Sequence, residues 1–156
     1  MKRLLAFLAL SLVASGVLLA QENPRVGTWK LNVAKSKFTG VQPPKSETRT
    51  IVAQGNGETV TLEGIAADGS PISYSITLNF DGKDSPISGT HLLGADTVAA
   101  KRVDANTVTS TSKKAGKTIF TTRTVVSKDG KVTTQTTKGV NGDGVPISIT
   151  MIWDKQ

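Results

Sequence analysis

The chain of 156 residues contains no cysteine, so no disulfide and no thiolate site is open to it. Packing and backbone pairing must hold it together. Histidine is almost missing as well, since His91 stands alone, and nucleophile–base pairs and transition-metal sites lose their usual partners. A Ser88, His91 and Asp96 set can be written down, but nearness in sequence is not triad geometry. In the Gly89-Thr90-His91-Leu92 loop, His91 reads as an ordinary surface histidine. Aromatic residues are scarce: beyond residue 20 there are only Trp29, Phe38, Tyr74, Phe80, Phe120 and Trp153. Nucleic-acid surfaces interleave such rings with a basic patch, and no such patch is present. The carboxylates of Asp68, Asp81, Asp104, Asp129 and Asp143 all fall at turn positions, which leaves no pair for acid–base work. The stretches Asn141-Gly142-Asp143-Gly144 and Asp81-Gly82-Lys83-Asp84 lack the spaced oxygens and closing glutamate of a calcium loop. The sequence therefore indicates no enzyme, no catalytic residue, no metal and no cofactor.

What is present begins with one long apolar run, residues 4–20, preceded by Lys2 and Arg3 and ending on the small Ala20. This is the pattern of a secretory leader covering residues 1–20. An uncleaved anchor is the rival reading, because 17 residues reach the lower edge of a membrane span, but Ser11, Ser15 and Gly16 favour removal. Removal leaves residues 21–156 as one domain with no further span, expected to be periplasmic or secreted. The formal charge of +7 falls to +5 once Lys2 and Arg3 leave. Lys83, Lys113, Lys114, Lys117, Lys128 and Lys131 lie in or beside turns, as solvated hairpin tips do; they would also favour an anionic partner such as lipid headgroups.

Turn punctuation recurs at the interval of an antiparallel sheet: Gly55-Asn56-Gly57, Asp68-Gly69, Asp81-Gly82, Asp104-Ala105-Asn106, Ala115-Gly116, Asp129-Gly130 and Asn141-Gly142-Asp143-Gly144. Between these lie ten candidate strands, near 26–33, 45–54, 58–65, 71–80, 84–89, 95–103, 107–113, 117–126, 131–138 and 145–154. No stretch after residue 20 carries a helical stripe. Alternation assigns inward rows: Trp29, Leu31 and Val33; Ile72, Tyr74, Ile76, Leu78 and Phe80; Ile147, Ile149, Met151 and Trp153. The opposite rows are polar apart from Ile152, which argues against a membrane-spanning barrel with its lipid-facing apolar band. Asp68-Gly69-Ser70-Pro71-Ile72-Ser73 recurs as Asp143-Gly144-Val145-Pro146-Ile147-Ser148, read as shared turn physics with proline opening a strand rather than as a duplication.

The segment Gly27-Thr28-Trp29-Lys30-Leu31 resembles the Gly-x-Trp opening of lipocalins and fatty-acid-binding proteins. Gly139 followed by Ile152-Trp153-Asp154-Lys155 is similar to the glycine-marked turn and closing strand of the fatty-acid-binding proteins. As a whole the chain looks like lipocalin-like secreted bacterial proteins of unassigned activity. The resemblance implies an all-β, antiparallel up-and-down barrel of about eight to ten strands. Two departures accompany it. Residues 34–44 are short and hold Pro43-Pro44, which cannot continue a helix, so the helical lid of the fatty-acid-binding proteins is expected to be missing. Their carboxylate clamp, an Arg-x-Tyr in the last strand, is replaced by Met151 and Trp153.

Three arginines could put a cation in the lumen instead. By parity Arg102 travels with Val98 and Ala100, Arg123 with Ile119 and Val125, and Arg49 with Ile51. The alternative is that they lie outside or cap the barrel end, similar to the arginine that lipocalins place over the first-strand tryptophan. The resulting expectation is non-enzymatic binding or transport of a small apolar molecule or lipid in the cell envelope. Its ligand would be held by Trp29, Leu31, Tyr74, Ile76, Phe80, Arg102, Arg123, Ile149, Met151 and Trp153. The alternative is an envelope interaction module with a packed core and no ligand.

Overall fold

A computed structural model describes residues 23–91 and 93–156; the expected leader, residues 1–20, lies outside them. Eleven strands follow in chain order: β1 (Gly27–Leu31), β2 (Lys37–Thr39), β3 (Ser46–Gln54), β4 (Gly57–Ile65), β5 (Pro71–Leu78), β6 (Asp81–Thr90), β7 (Thr97–Arg102), β8 (Thr107–Lys114), β9 (Lys117–Val126), β10 (Val132–Val140) and β11 (Pro146–Lys155). From β3 to β11 each strand pairs antiparallel with the next, and β1 pairs with both β3 and β11. Ten strands thus close an up-and-down barrel, and closure leaves no long unpaired edge. Among the described residues no helix is long and apolar enough to cross a membrane.

The eleventh strand, β2, is an addition to the expected set. Only three residues long, it offers too little alternation to be read from sequence. It forms because β11 outlasts β1: β1 takes the lower part of β11, with Leu31 opposite Trp153, and β2 takes the upper part, with Phe38 opposite Ile149. A single 3₁₀ turn, Val33–Lys35, steps between them, capped by the Asn32 side chain accepting from Lys35 N–H. Ser36 Oγ accepts the Ile152 N–H that the step would otherwise orphan. Between β1 and β3 the described chain has this turn and strand, with no helical lid.

The hairpin expected at Asp81-Gly82 is displaced. Asn79 and Phe80 make the connection, and Gly82 instead sits inside β6 with φ 75°, where the register to β7 shifts between Asp81 and Asp84. Phe80 takes φ 58°, unusual for a bulky residue, and its ring packs on the core with the Arg102 guanidinium 4.3 Å from its centroid. Pro71 and Pro146 open β5 and β11 after their turns, whereas Pro86 lies within β6. The two copies of the echo at 68–73 and 143–148 therefore share the expected local physics.

The larger buried cluster of the core includes the start of β1. Trp29, Leu31, Ile51, Val60, Leu62 and Trp153 are buried there in one cluster. Trp29 Nε1 donates to the Arg25 carbonyl at 2.8 Å, which satisfies its buried indole.

Candidate functional site

The inward rows do not fill the barrel. A cavity of about 370 Å³ remains between them, within the size range of small-molecule sites. Its lining differs around the circumference. Val60, Leu62, Ile76, Leu78 and Val98, with Ile149, Met151 and Trp153 of β11, give an apolar side; Ser110, Ser112, Thr122, Thr124 and Thr137 of β8–β10 give hydroxyls. At the loop end the cavity reaches Val41, Pro44, Ala66, Ala67 and Leu93. Two glycines on inward positions let large neighbours lie flat. Gly64 faces Glu47, where a Cβ would collide with the Ser46 carbonyl oxygen and stand 2.9 Å from Glu47 Cγ. Gly89 faces Tyr74, where a Cβ would meet the Ser73 carbonyl oxygen.

The floor is ionic. Glu58, fully buried at 0% exposure, accepts from Arg25 Nη2 at 2.7 Å and Arg25 Nε at 3.0 Å, and Arg102 Nη2 stands 3.9 Å away. Bidentate pairing is what makes such burial tolerable. Above the floor lies Arg49, 5% exposed, on the inward row of β3. Its Nη1 donates to Gln135 Oε1 at 2.9 Å, and its guanidinium carbon lies 4.4 Å from the Trp153 ring centroid. Arg49 Nε has no hydrogen-bond partner, and among the described residues no carboxylate comes within 4.0 Å of the guanidinium. Burial, then the charge of Arg25, pulls its pKa down to about 9, so it remains a cation at neutral pH.

Two residues along the same row, Glu47 is 3% exposed and faces the cavity. Burial pushes its carboxyl up to about 7, with Arg49 opposing. Tyr74 is pushed upward by burial first and by the Glu47 charge second, and stays a neutral phenol. His91 packs between Tyr74 and Phe120, with ring centroids 4.7 and 5.9 Å apart. Its Nδ1 accepts from the Leu93 N–H at 3.1 Å, and burial holds its pKa down to about 4. His91 is therefore a neutral ring in the cavity wall, not the surface histidine expected from its loop. The Ser88–His91–Asp96 set is not assembled, because Nδ1 is occupied and the Asp96 carboxylate accepts from Ala115 N–H at 2.7 Å. Among the described residues no three His, Asp or Glu side chains gather as metal ligands.

Of the ten residues expected to hold a ligand, Tyr74, Ile76, Ile149, Met151 and Trp153 line the cavity. Trp29, Leu31 and Phe80 face inward but lie in the packed core. Arg102 shares the inward row of Val98 and Ala100, yet it ends β7 and closes the floor against Phe80 and Glu58, outside the lumen. Arg123 is corrected outright. It is exposed on the outer wall, because Phe120, Thr122 and Thr124 set the inward phase of β9 and place Ile119 and Val125 outside. Missed altogether were Glu47, Gln135 and the hydroxyl-bearing wall. A polar residue in an alternating strand reads as outward, and only continuing the Ile51–Arg49 row upward would have reached Glu47.

No protein-family model matches this chain, and no curated protein sequence does. Its structure is similar to a crystal structure of zebrafish ileal bile acid-binding protein complexed with cholic acid, with a TM-score of 0.50 at 13% sequence identity. The likeness covers 85% of this chain and 99% of that one. At that identity it is a statement of fold alone, an antiparallel up-and-down barrel.

Proposed function

We propose that the protein binds a small hydrophobic ligand inside the barrel, as a non-enzymatic carrier of the cell envelope, periplasmic or secreted. The cavity carries this reading. Ten strands with apolar inward rows could have collapsed onto larger side chains; instead about 370 Å³ stays open, reaching the loop end through apolar residues. A packed-core interaction module would have no use for that volume. The zebrafish protein of similar fold was crystallised with cholic acid, which supports a small-molecule ligand here, although fold alone does not assign one. The envelope location rests on the leader pattern of residues 1–20.

The test is a titration with a neutral, environment-sensitive dye such as Nile red, followed by displacement with a panel of lipids. Saturable brightening is expected, with Trp153 emission changing in step. Ser110→Phe places a phenyl ring in the lumen from β8 and should weaken dye binding at least about tenfold while far-UV circular dichroism is unchanged. Dye binding that ignores this substitution in a folded protein would place the ligand elsewhere and overturn the reading.

A further inference from the structure

The outer wall gathers cations that no basic run in the sequence marks. Arg123 of β9 lies opposite Thr136 of β10, and Lys138, two residues along β10, lies opposite Thr121 of β9. The two cations thus take diagonal corners of a square, about 7–8 Å apart at the backbone, and the two threonines take the others. On β8, Thr109 stands opposite Arg123 and Thr111 opposite Thr121, and a groove of about 260 Å³ runs over these side chains. The Arg123 row continues through Thr136 to Thr150 of β11 and ends at Lys37 of β2, about 14 Å from Arg123 at three strand spacings. In the other direction it ends at Lys101 of β7. Lys37, Lys101, Arg123 and Lys138 are exposed, and none forms an ion pair among the described residues. The carboxylates bordering the wall are engaged: Asp84 by Lys113 at 2.8 Å, Asp104 by Asn106 N–H at 2.8 Å, Asp81 by Lys83 N–H at 3.0 Å and Asp154 by the Asn32 amide at 2.8 Å. Neighbouring like charges repel, and surfaces usually intersperse the two signs. Cations with hydroxyls between them and no acid in either row from β7 to β2 complement an anion that also accepts hydrogen bonds.

Independently of the lumen reading, we propose that this wall binds an acidic polysaccharide bearing sulfate or phosphate ester groups. One ester group sits over the square, its oxygens met by the Arg123 fork, the Lys138 ammonium and the Thr121 and Thr136 hydroxyls. The sugar chain runs across the strands toward Lys37, with its own hydroxyls against Thr109, Thr111 and Thr150. A flat anionic bilayer fits the wall poorly, because the outside of a closed barrel is convex and offers a plane only a strand or two at a time. Single-stranded nucleic acid binds through rings on which its bases stack, and the two rows hold none.

The probes are dextran sulfate and uncharged dextran of the same length, titrated into the protein by calorimetry at low salt. Dextran sulfate should bind and dextran should not. Arg123→Gln combined with Lys138→Gln should weaken dextran sulfate at least about tenfold and lower the slope of log affinity against log salt by about two, one for each contact removed. Lys45→Gln combined with Lys128→Gln removes the same charge from exposed positions off the wall and should change the affinity less than about twofold. Equal losses from the two double variants would mean that net charge alone attracts the polymer, and would overturn the proposal. Equal binding of the two dextrans, or no binding of dextran sulfate, overturns it as well. So does duplex DNA, or a phosphatidylglycerol vesicle, that matches dextran sulfate at equal charge concentration. No lumen ligand is present in these titrations, so the wall and the lumen readings fail separately.

Discussion

Glu58→Ala is expected to lower the unfolding free energy by about 3–5 kcal/mol, because it leaves the Arg25 guanidinium buried with no counter-ion. The loss extends beyond one ion pair. Arg25 presents its carbonyl to Trp29 Nε1, so a guanidinium that turns toward water takes the anchor of the first strand with it. Denaturant unfolding measures the change, and the double variant Arg25→Met, Glu58→Leu should recover most of it, since apolar groups of similar volume carry no charge to desolvate. A loss below about 1 kcal/mol for Glu58→Ala, the range of surface pairs, would mean that water reaches the floor and that the closed end has been misread.

Glu47→Gln should change how stability depends on pH. A carboxyl raised from 4.5 to about 7 by folding binds more protons in the native than in the unfolded state within that window. Its contribution is fully present below about 4.5 and is lost as pH rises through about 7, a total of about 3 kcal/mol by linkage. His91 runs the other way. Its pKa falls from 6.5 to about 4 on folding, so its contribution is present above about 6.5 and is lost as pH falls through about 4. Between about 4.5 and 6.5 the two slopes oppose, and the unmodified protein should look nearly insensitive to pH there. In Glu47→Gln only the His91 slope remains: stability should rise with pH toward 6.5 and exceed that of the parent above pH 7. Urea midpoints at several pH values measure this, and parallel curves for parent and variant would show that the Glu47 carboxyl is not desolvated.

The barrel was legible because its strands alternate. In β5 and β11 apolar residues fall on every second position, and both rows turn inward as the pattern requires. Where both rows mix threonine with apolar residues, as in β9, alternation carries no clear phase. Arg123 looked inward only because Ile119 and Val125 shared its parity. Three-residue β2 left no period to detect; its existence follows from the extra length of β11. The site was harder to read than the fold for a physical reason. A cavity is defined by what does not fill it, and the polar groups that give this one its character, Glu47, Arg49, Gln135 and the β8–β10 hydroxyls, look like surface residues to any rule that equates polar with outside. The Val60–Leu62 row runs directly back to Glu58, and the Ile51–Arg49 row runs on to Glu47. A parity continued through a charged residue is the signal that finds both.

The central claim is that the ligand sits inside the barrel, and contact between ligand and interior methyl groups tests it most directly. With methyl-labelled protein and bound Nile red, intermolecular nuclear Overhauser effects should connect the dye to Leu62, Ile149 and Met151, which line the cavity. None should reach Val52 or Val103, which are exposed on the outside. Effects confined to Val52 and Val103, with the interior methyls silent, would contradict the account.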